Sequence, residues 1–317
     1  MRKELGTFVL LIFLCVVLAI VNPGFLSSAN LQNLTRLIGI YGIFSIGLGW
    51  VIITGGIDLS VGSVFALLGV ILSISLVEWH LPAVVALTLV IGITTLLGLI
   101  HGFLITKVRI QPFIVTLCGL LFYRGLARFI ASDETKGFGS AAGFEALQSF
   151  ATGSVLGVPT PFLILVVISV LAWVVLHRSV YGRHLFATGY NETASRYSGV
   201  NTDRVIILAY VACGFLAGIA GILLAFYTNS ISPSSHGNFY ELYGIAAAVL
   251  GGCSLRGGEG SVLGILIGTA LLQVLQNLVN LVGIPSSLNF AVMGAVILIG
   301  VVTDQLLRHR AASKLAS

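Results

Sequence analysis

The sequence carries very little charge for its length. Its 317 residues include 16 Lys or Arg and 11 Asp or Glu, so that 9% are charged, whereas soluble domains usually carry about 25%. A surface that faces water could not be covered with so few charges. The composition therefore excludes an ordinary soluble domain and indicates a surface that faces lipid.

The motifs of common catalytic and ion-conducting machineries are also missing. There is no G-x-x-x-x-G-K-[ST] phosphate loop and no Gly-Lys pair at all, which excludes ATP hydrolysis by that loop. No H-E-x-x-H, G-x-S-x-G or potassium-filter T-V-G-Y-G occurs. The spacing of the four cysteines matches neither a metal site nor a disulfide framework. We therefore expect a chain that is not an enzyme and that binds no metal or cofactor itself.

Long apolar runs are what the sequence does contain. Runs of roughly 20 apolar residues, enough to cross a bilayer, recur from end to end. Backbone in lipid must hydrogen-bond to itself, which allows helices or a closed barrel, and the runs lack the alternation of barrel strands. The sequence predicts an all-α polytopic membrane protein of about ten transmembrane helices, broken at two glycine-rich stretches. The predicted spans are 5–21, 35–54, 58–77, 82–105, 112–131, 161–177, 205–228, 240–254, 261–281 and 285–303.

Basic residues predict the orientation of these spans. The first span is interpreted as retained, since no signal-peptide cleavage site follows Val21. With an inside N-terminus, twelve of the sixteen Lys and Arg residues fall on one side, and such residues accumulate in cytoplasmic loops. We expect both termini in the cytoplasm, and we interpret the basic loops as orientation signals rather than as a nucleic-acid surface.

The first glycine-rich stretch, TGGIDLSVGS, begins at Thr54 and places polar groups in an apolar region. Asp58 is predicted to cap the third span, with Ser60 supporting the turn, because both residue types accept free N–H groups at a helix start. The alternative, compatible with a cap, is that the break lines a translocation path, since an ionisable residue in a span is a functional candidate. The path candidates here are Gly55, Gly56, Asp58 and Ser60.

A second stretch, GGCSLRGGEGSVLG, begins at Gly251 and echoes the first in its Gly-Gly and Gly-Ser-Val steps. Interrupted segments at matching positions of a repeated transporter point to the substrate path. Arg124 and Glu241 are the other path candidates, near the outer ends of their spans. Arg124 either snorkels to the interface or lines an outer vestibule, and Glu241 either complements a helix dipole or does the same. We expect His101 to be hydrogen-bonded inside the bundle.

The longest inner loop, 178–204, is polar and mixed in charge. Most connections in compact bundles have about 2–8 residues. The length of this loop favours a docking surface over a simple connector.

Four stretches together resemble one family. GGIDLSVGS from Gly55, QPFIVTLCGLLFYRGLA from Gln111, GRHLFATGYNETASRYSGVN from Gly182 and ELYGIAAAVLGGCSLRGGEGSVLG from Glu241 resemble the inner-membrane permeases of ribose-type ABC importers. The family includes ribose, xylose, galactose and autoinducer-2 permeases, and the resemblance covers nearly the whole chain. One departure is Tyr243, where the family usually has Asp, so that a polar role there is in doubt.

The resemblance implies a single permease domain, 1–317, in a bacterial inner membrane. It implies a second permease copy, identical or paralogous, a periplasmic sugar-binding protein, and cytoplasmic subunits that bind ATP and Mg. The 178–204 loop is then the element that couples to the ATPase. The residues that the resemblance assigns to coupling are Gly182, Arg183, Gly189, Asn191, Ala194 and Gly199.

The resemblance also narrows the solute. It implies ATP-driven import of a monosaccharide, a pentose or a hexose, with autoinducer-2 or another sugar-like solute as the alternative. A stand-alone secondary transporter driven by an ion gradient is a separate alternative, which requires uptake without ATP or a partner.

Overall fold

A computed structural model describes residues 2–139, 141 and 143–285, with six further positions between 288 and 298. The structural statements below concern these residues. The tenth predicted span, 285–303, lies mostly outside them and stays a prediction.

The described chain is a bundle of helices. In chain order they are α1 (Arg2–Val21), α2 (Ser28–Ile53), α3 (Val61–Val77), α4 (Ala83–Thr106), α5 (Pro112–Ile130), α6 (Phe144–Thr152), α7 (Thr160–Arg178), α8 (Val180–Tyr190), α9 (Glu192–Tyr197), α10 (Thr202–Thr228), α11 (Tyr240–Leu250) and α12 (Val262–Leu281). Seven of those described, α1, α2, α4, α5, α7, α10 and α12, are long and apolar enough to cross a membrane, and α3 and α11 are shorter apolar helices. The first nine predicted spans each correspond to one helix, which confirms an all-α polytopic membrane protein.

The polar connections contain structure that hydropathy does not reveal. A 3-10 helix, Pro23–Leu26, links α1 to α2. Between α5 and α7 the chain forms α6 and a small hairpin of β1 (Ser154–Val155) and β2 (Val158–Pro159). The predicted inner loop 178–204 is mostly helical, because it contains α8 and α9.

Helix α2 lies at the centre of the bundle and α1 at its edge. In the most apolar window of each helix, 83% of the α2 residues are buried against 6% in α1. Small residues bring the central helices close together: a Cβ on Gly98 or Gly102 of α4 would collide with the backbone of α10 at Tyr210 or Ile207. Close approach of this kind is how membrane helices gain packing energy where lipid is as apolar as the side chains.

One end of the bundle, here called the basic end, is where α2 finishes and α10 starts. Trp50 near the end of α2 packs on Tyr181 of α8, whose hydroxyl donates to the carbonyl of Val205 in α10. At about 1.5 Å per residue, α2 and α10 extend roughly 40 Å, whereas α3 covers about 25 Å and α11 about 16 Å. The two short helices therefore span only part of the bundle.

Candidate translocation path and coupling surface

The first glycine-rich break turns the chain back into the bundle. Helix α2 ends at Ile53, and residues 54–60 are not helical. Gly55 adopts φ +82°, a conformation that favours glycine because it has no Cβ. The N–H groups of Gly55 and Gly56 donate to the carbonyls of Ile52 and Val51, which closes the end of α2. Beyond Gly56 the chain runs back among the helices.

This turn places Asp58 near the middle of the bundle. The thiol of Cys213 lies 3.9 Å from the Asp58 carboxylate, and Cys213 is roughly 16 Å along α10 from its start at the basic end. On α4, the Nδ1 atom of His101 is 3.8 Å from the same carboxylate. Gly55 therefore lies at the end of α2, whereas Asp58 lies deeper in the bundle, because the non-helical residues between them carry the chain inward by about 3.3 Å per residue.

Asp58 organises the turn but does not cap α3 in the predicted way. Its Oδ1 atom accepts the backbone N–H of Ser60 at 2.9 Å and the Ser60 hydroxyl at 2.6 Å. The residue at the N-cap position is Ser60, whose side chain makes no capping bond. The carboxylate is two residues too early to reach the first amides of α3, so that it fixes the preceding turn instead.

The remaining polar groups of the break find partners on neighbouring helices. The carbonyl of Ile57 accepts the Tyr210 hydroxyl at 3.0 Å, and His101 is hydrogen-bonded to the Tyr123 hydroxyl at 2.8 Å, as the sequence predicted. Irregular backbone at membrane depth is tolerated only where protein or water satisfies it. The polar residues of α4, α5 and α10 are therefore what makes this break stable.

Arg124 and Glu241 meet at the start of α3. The guanidinium of Arg124 donates to the carbonyl of Gly62 at 3.3 Å, and the Glu241 carboxylate lies against Gly62 and accepts its backbone N–H. Arg124 thus points inward, so that of its two predicted alternatives the one in which it snorkels to the interface is wrong. Glu241 is 6% exposed and lies deep in the bundle, because α11 starts there.

A second re-entrant segment, residues 229–239, is fixed by the same arginine. Arg124 donates to the carbonyls of Pro233 and His236 at 3.2 and 2.8 Å. Gly237 packs directly on the backbone of Gly62, where neither residue has room for a Cβ. The half-length helices α3 and α11 therefore begin side by side inside the bundle, an arrangement that transporters use at their substrate sites.

The rest of α11 is apolar or aromatic. Tyr243, where the resembled family usually has Asp, is 8% exposed and packs against Tyr41 and Tyr240 with ring centroids 6.2 and 6.3 Å apart. Tyr243 is therefore part of an aromatic cluster in this structure.

The two glycine-rich breaks touch each other at the basic end. The N–H of Gly258 donates to the carbonyl of Ile53 at 2.9 Å, and a Cβ on Gly257 would meet the N atom of Gly55 at 2.9 Å. The predicted echo is not an exact structural repeat. In the second stretch, Ser261 of the Gly-Ser-Val step precedes α12 and caps it by accepting the Gly264 N–H at 2.9 Å. In the first stretch, the Gly-Ser-Val step lies inside α3, which already starts at Val61.

Helix α8 packs against both breaks. Gly189 lies on the carbonyl of Ile53, and a Cβ there would be 2.6 Å from the N atom of Gly258. Gly182 lies on the Leu176 carbonyl, where α7 turns into α8. Asn191 caps α9 by accepting the Ala194 N–H at 2.9 Å.

The other coupling candidates are exposed. Arg183, Asn191, Ala194 and Gly199 all face outward, and Gly199 has φ +85° just beyond the end of α9. Only Gly182 and Gly189 among the six candidates are packed into the protein. The other four form an outward face, and these two glycines contact the rest of the bundle.

An ion-pair network holds α9 in place, and the sequence reasoning missed it. Asp203 of α10 pairs with Lys107 at 2.7 Å and with Arg196 at 2.6 Å, and Arg196 also pairs with Glu192 at 2.8 Å. Hydrogen bonds to Asp203 and Glu192 raise the pKa of Arg196 above its usual value. The sequence signal for this network was the presence of two acidic residues, Glu192 and Asp203, in an otherwise basic stretch. The basic residues of that stretch were interpreted only as orientation signals.

Comparison with known proteins identifies the family. A family model described as "Branched-chain amino acid transport system / permease component" matches residues 30–301. The chain belongs to this permease family. The permease is 40% identical over 304 residues to the ribose import permease protein of Bacillus subtilis (strain 168), covering 96% of this chain and 93% of that protein. No solved structure gives a significant match.

Two further relatives show the same pattern. The ribose import permease protein of Haemophilus influenzae is 37% identical, with 96% of this chain and 94% of that protein covered. The xylose transport system permease protein of Escherichia coli (strain K12) is 32% identical, with 91% of this chain and 88% of that protein covered.

The resemblance to ribose-type ABC importer permeases is confirmed: this is a multi-pass membrane transport subunit and not an enzyme. Membership of this family implies ATPase and solute-binding partner subunits.

Proposed function

We propose that the permease forms the translocation path of an ATP-driven importer for a monosaccharide of the ribose type, a pentose or a hexose. The similarity over 96% of the chain to ribose import permeases carries this proposal. Residues 1–317 form one domain in the inner membrane, with the basic end and both termini in the cytoplasm. Two copies of the permease, identical or paralogous, form the pore, a periplasmic protein delivers the solute, and the partner ATPases hold ATP and Mg. Autoinducer-2 or another sugar-like solute is the alternative cargo.

The path passes beside the starts of α3 and α11. Gly55 and Gly56 let the first break turn inward, and Asp58 with Ser60 gives the returning segment its shape. Arg124 and Glu241 hold the two re-entrant segments together through Gly62. In this proposal these six residues build the wall of the path, and the buried, hydrogen-bonded state of Asp58 favours a positioning role over direct contact with the sugar.

The segment 178–204 is the element that couples to the ATPase. Its exposed face carries Arg183, Asn191, Ala194 and Gly199. Gly189 contacts the two glycine-rich breaks that follow α2 and α11 in the chain. When the ATPase subunits close on ATP, movement of α8 is transmitted through this contact to the re-entrant segments.

The test is reconstitution. The tagged permease is purified from its native membranes in mild detergent, its co-purifying proteins are identified by mass spectrometry, and uptake of labelled ribose into liposomes is measured with Mg-ATP or a non-hydrolysable analogue. We expect a co-purifying protein with a phosphate loop and uptake that depends on hydrolysis. Uptake by the permease alone, driven by an ion gradient, would establish a secondary transporter instead.

A further inference from the structure

The re-entrant segment 229–239 exposes polar side chains deep in the bundle. Ser234, Ser235 and Asn238 are exposed, whereas His236 and Gly237 between them are buried. The backbone bends in a tight turn, with the N–H of Asn238 donating to the carbonyl of Ser235 at 3.0 Å. One side of the turn is therefore packed on the protein and the other side is open.

The depth of this turn follows from the helices that hold it. Arg124, which binds the His236 carbonyl, is about 18 Å along α5 from the basic end and about 9 Å from the other end of that helix. Tyr240, the first residue of α11, packs on Tyr41 with ring centroids 4.8 Å apart, and Tyr41 is about 18 Å from the end of α2. Both routes place the turn within a hydrocarbon core that is about 30 Å thick.

Hydroxyl and amide groups at this depth do not face lipid without a large cost. Transfer of an unpaired amide or hydroxyl from water to an apolar medium costs roughly 2–7 kcal/mol. Non-helical backbone in the membrane is found where protein covers it or where it lines a water-filled cavity. Ser235 and Asn238 are not covered by the described part of the chain, so that their polar groups need water or further protein as partners.

We propose that Asn238 and Ser235 line the aqueous path and bind the hydroxyl groups of a neutral, polyhydroxylated solute. An amide offers both donors and an acceptor, and a hydroxyl offers one donor and two lone pairs, which matches the alternating needs of a polyol. Phe239, 46% exposed and with φ +67°, supplies an apolar face beside them. A non-glycine residue in this conformation is strained, and such strain concentrates at ligand sites.

The charge of the turn restricts the solute class. Residues 229–239 contain no Asp, Glu, Lys or Arg, and the nearby Arg124 and Glu241 are engaged with Gly62. An amino acid would bring an ammonium and a carboxylate that this surface does not neutralise. This inference rests on the proposed function, and it adds the residues that contact the solute and the reason that a sugar fits better than an amino acid.

The experiment measures accessibility to water with single cysteines. Asn238→Cys and Ser235→Cys are made in a chain whose four native cysteines are replaced by serine or alanine and which retains ATP-dependent uptake. The complete complex with its ATPase, in liposomes, is treated with a membrane-impermeant cationic methanethiosulfonate. The matched control is Leu121→Cys, since Leu121 is 66% exposed on α5, one turn from Arg124, at similar depth.

We expect both turn cysteines to react at least tenfold faster than Leu121→Cys, and saturating ribose with its binding protein to slow the reaction of Asn238→Cys. Reaction as slow as at Leu121→Cys for both turn positions, in a complex that still imports ribose, would overturn this inference while the proposed function stands. Fast reaction that leucine slows and ribose does not would overturn the solute class. Failure of the wild-type complex to import ribose with ATP would count against the proposed function itself.

Discussion

Asp58 shows how a single carboxylate is stabilised inside a membrane bundle. It is 4% exposed, and it accepts two hydrogen bonds from Ser60 while His101 and Cys213 approach its second oxygen. A buried acceptor with several donors around it is stable, whereas removing it leaves those donors without a partner. The role assigned to Asp58 is therefore to hold the returning segment in place.

The first prediction concerns this carboxylate. Asp58→Asn keeps an acceptor oxygen for Ser60, so that we expect assembly with the ATPase to be retained. Asp58→Leu leaves the Ser60 donors unpaired at a cost of about 1–3 kcal/mol, and we expect loss of uptake or of folding. Uptake in liposomes and the thermal unfolding midpoint in detergent measure both effects. Asp133→Leu, at an exposed site, is the control, and normal transport by Asp58→Leu would show that the break does not shape the path.

At the scale of elements, the contact of α8 with both glycine-rich breaks depends on one residue without a side chain. Gly189 lies against the Ile53 carbonyl and the Gly258 amide, which are backbone groups that cannot rotate away. From the sequence, Gly189 is assigned to coupling only through the family resemblance. The structure adds a physical reason, since any Cβ at this position separates α8 from the breaks.

The second prediction follows from that contact. Gly189→Ala is expected to uncouple the permease, with ATP hydrolysis by the assembled complex continuing while solute uptake falls about tenfold or more, the effect of roughly 1.4 kcal/mol on a coupling equilibrium. The matched control is Gly125→Ala, since a Cβ on Gly125 of α5 meets nothing within 4 Å. Equal uptake by the two variants would rule out transmission through this contact.

The third prediction concerns the ion pairs that hold α9. Asp203→Asn removes the partner of Lys107 and Arg196, and we expect a loss of about 1–3 kcal/mol in the free energy of unfolding, between the values of exposed and buried pairs. Asp133→Asn, which breaks the exposed Arg128–Asp133 pair, is expected to lower the free energy of unfolding less, because solvent screens exposed ion pairs. Denaturant unfolding in detergent compares the two. A smaller effect at Asp203 than at Asp133 would contradict a structural role for the network.

For the whole molecule, the described fold combines long helices with two shorter ones, α3 and α11, whose starts meet inside the bundle. The long helices α2 and α10 define the thickness of the bundle, and the re-entrant segments bring polar groups to the middle of that thickness. The backbone groups at the breaks keep hydrogen-bond partners, because the side chains of Tyr210, Arg124 and Glu241 reach them from neighbouring helices. An aqueous path can pass beside these segments without exposing broken backbone to lipid.

The fourth prediction tests the orientation of the whole molecule. Tyr197, 89% exposed at the basic end, and Leu156, fully exposed in the hairpin of the opposite loop, are replaced one at a time by cysteine in a cysteine-free chain. We expect an impermeant maleimide to label Leu156→Cys in intact spheroplasts and Tyr197→Cys only after the membrane is opened. The reverse pattern would place the basic end outside and would exclude coupling through α8.

The sequence by itself determined that this protein lies in a membrane, the positions of its first nine spans and its family. These depend on local composition: a run of apolar residues defines a helix in lipid wherever the rest of the chain lies, and ordered motifs identify relatives directly. The limits of α11, and the helices α8 and α9 within a polar loop, were not predicted, because apolar length alone does not report where a helix ends inside a protein.

Only the tertiary structure decided the depth of Asp58, the meeting of Arg124 and Glu241 at Gly62, and the contact of Gly189 with both breaks. Each joins residues that are distant in the chain, and each depends on how far a non-helical segment re-enters the bundle. Hydropathy placed Arg124 and Glu241 near the outer ends of their spans, because it treats each span as crossing the whole membrane. That assumption fails for α3 and α11, because both helices start inside the bundle and their starts bring polar groups into the interior. Unsatisfied hydrogen bonds are costly there, so that other helices must supply the partners.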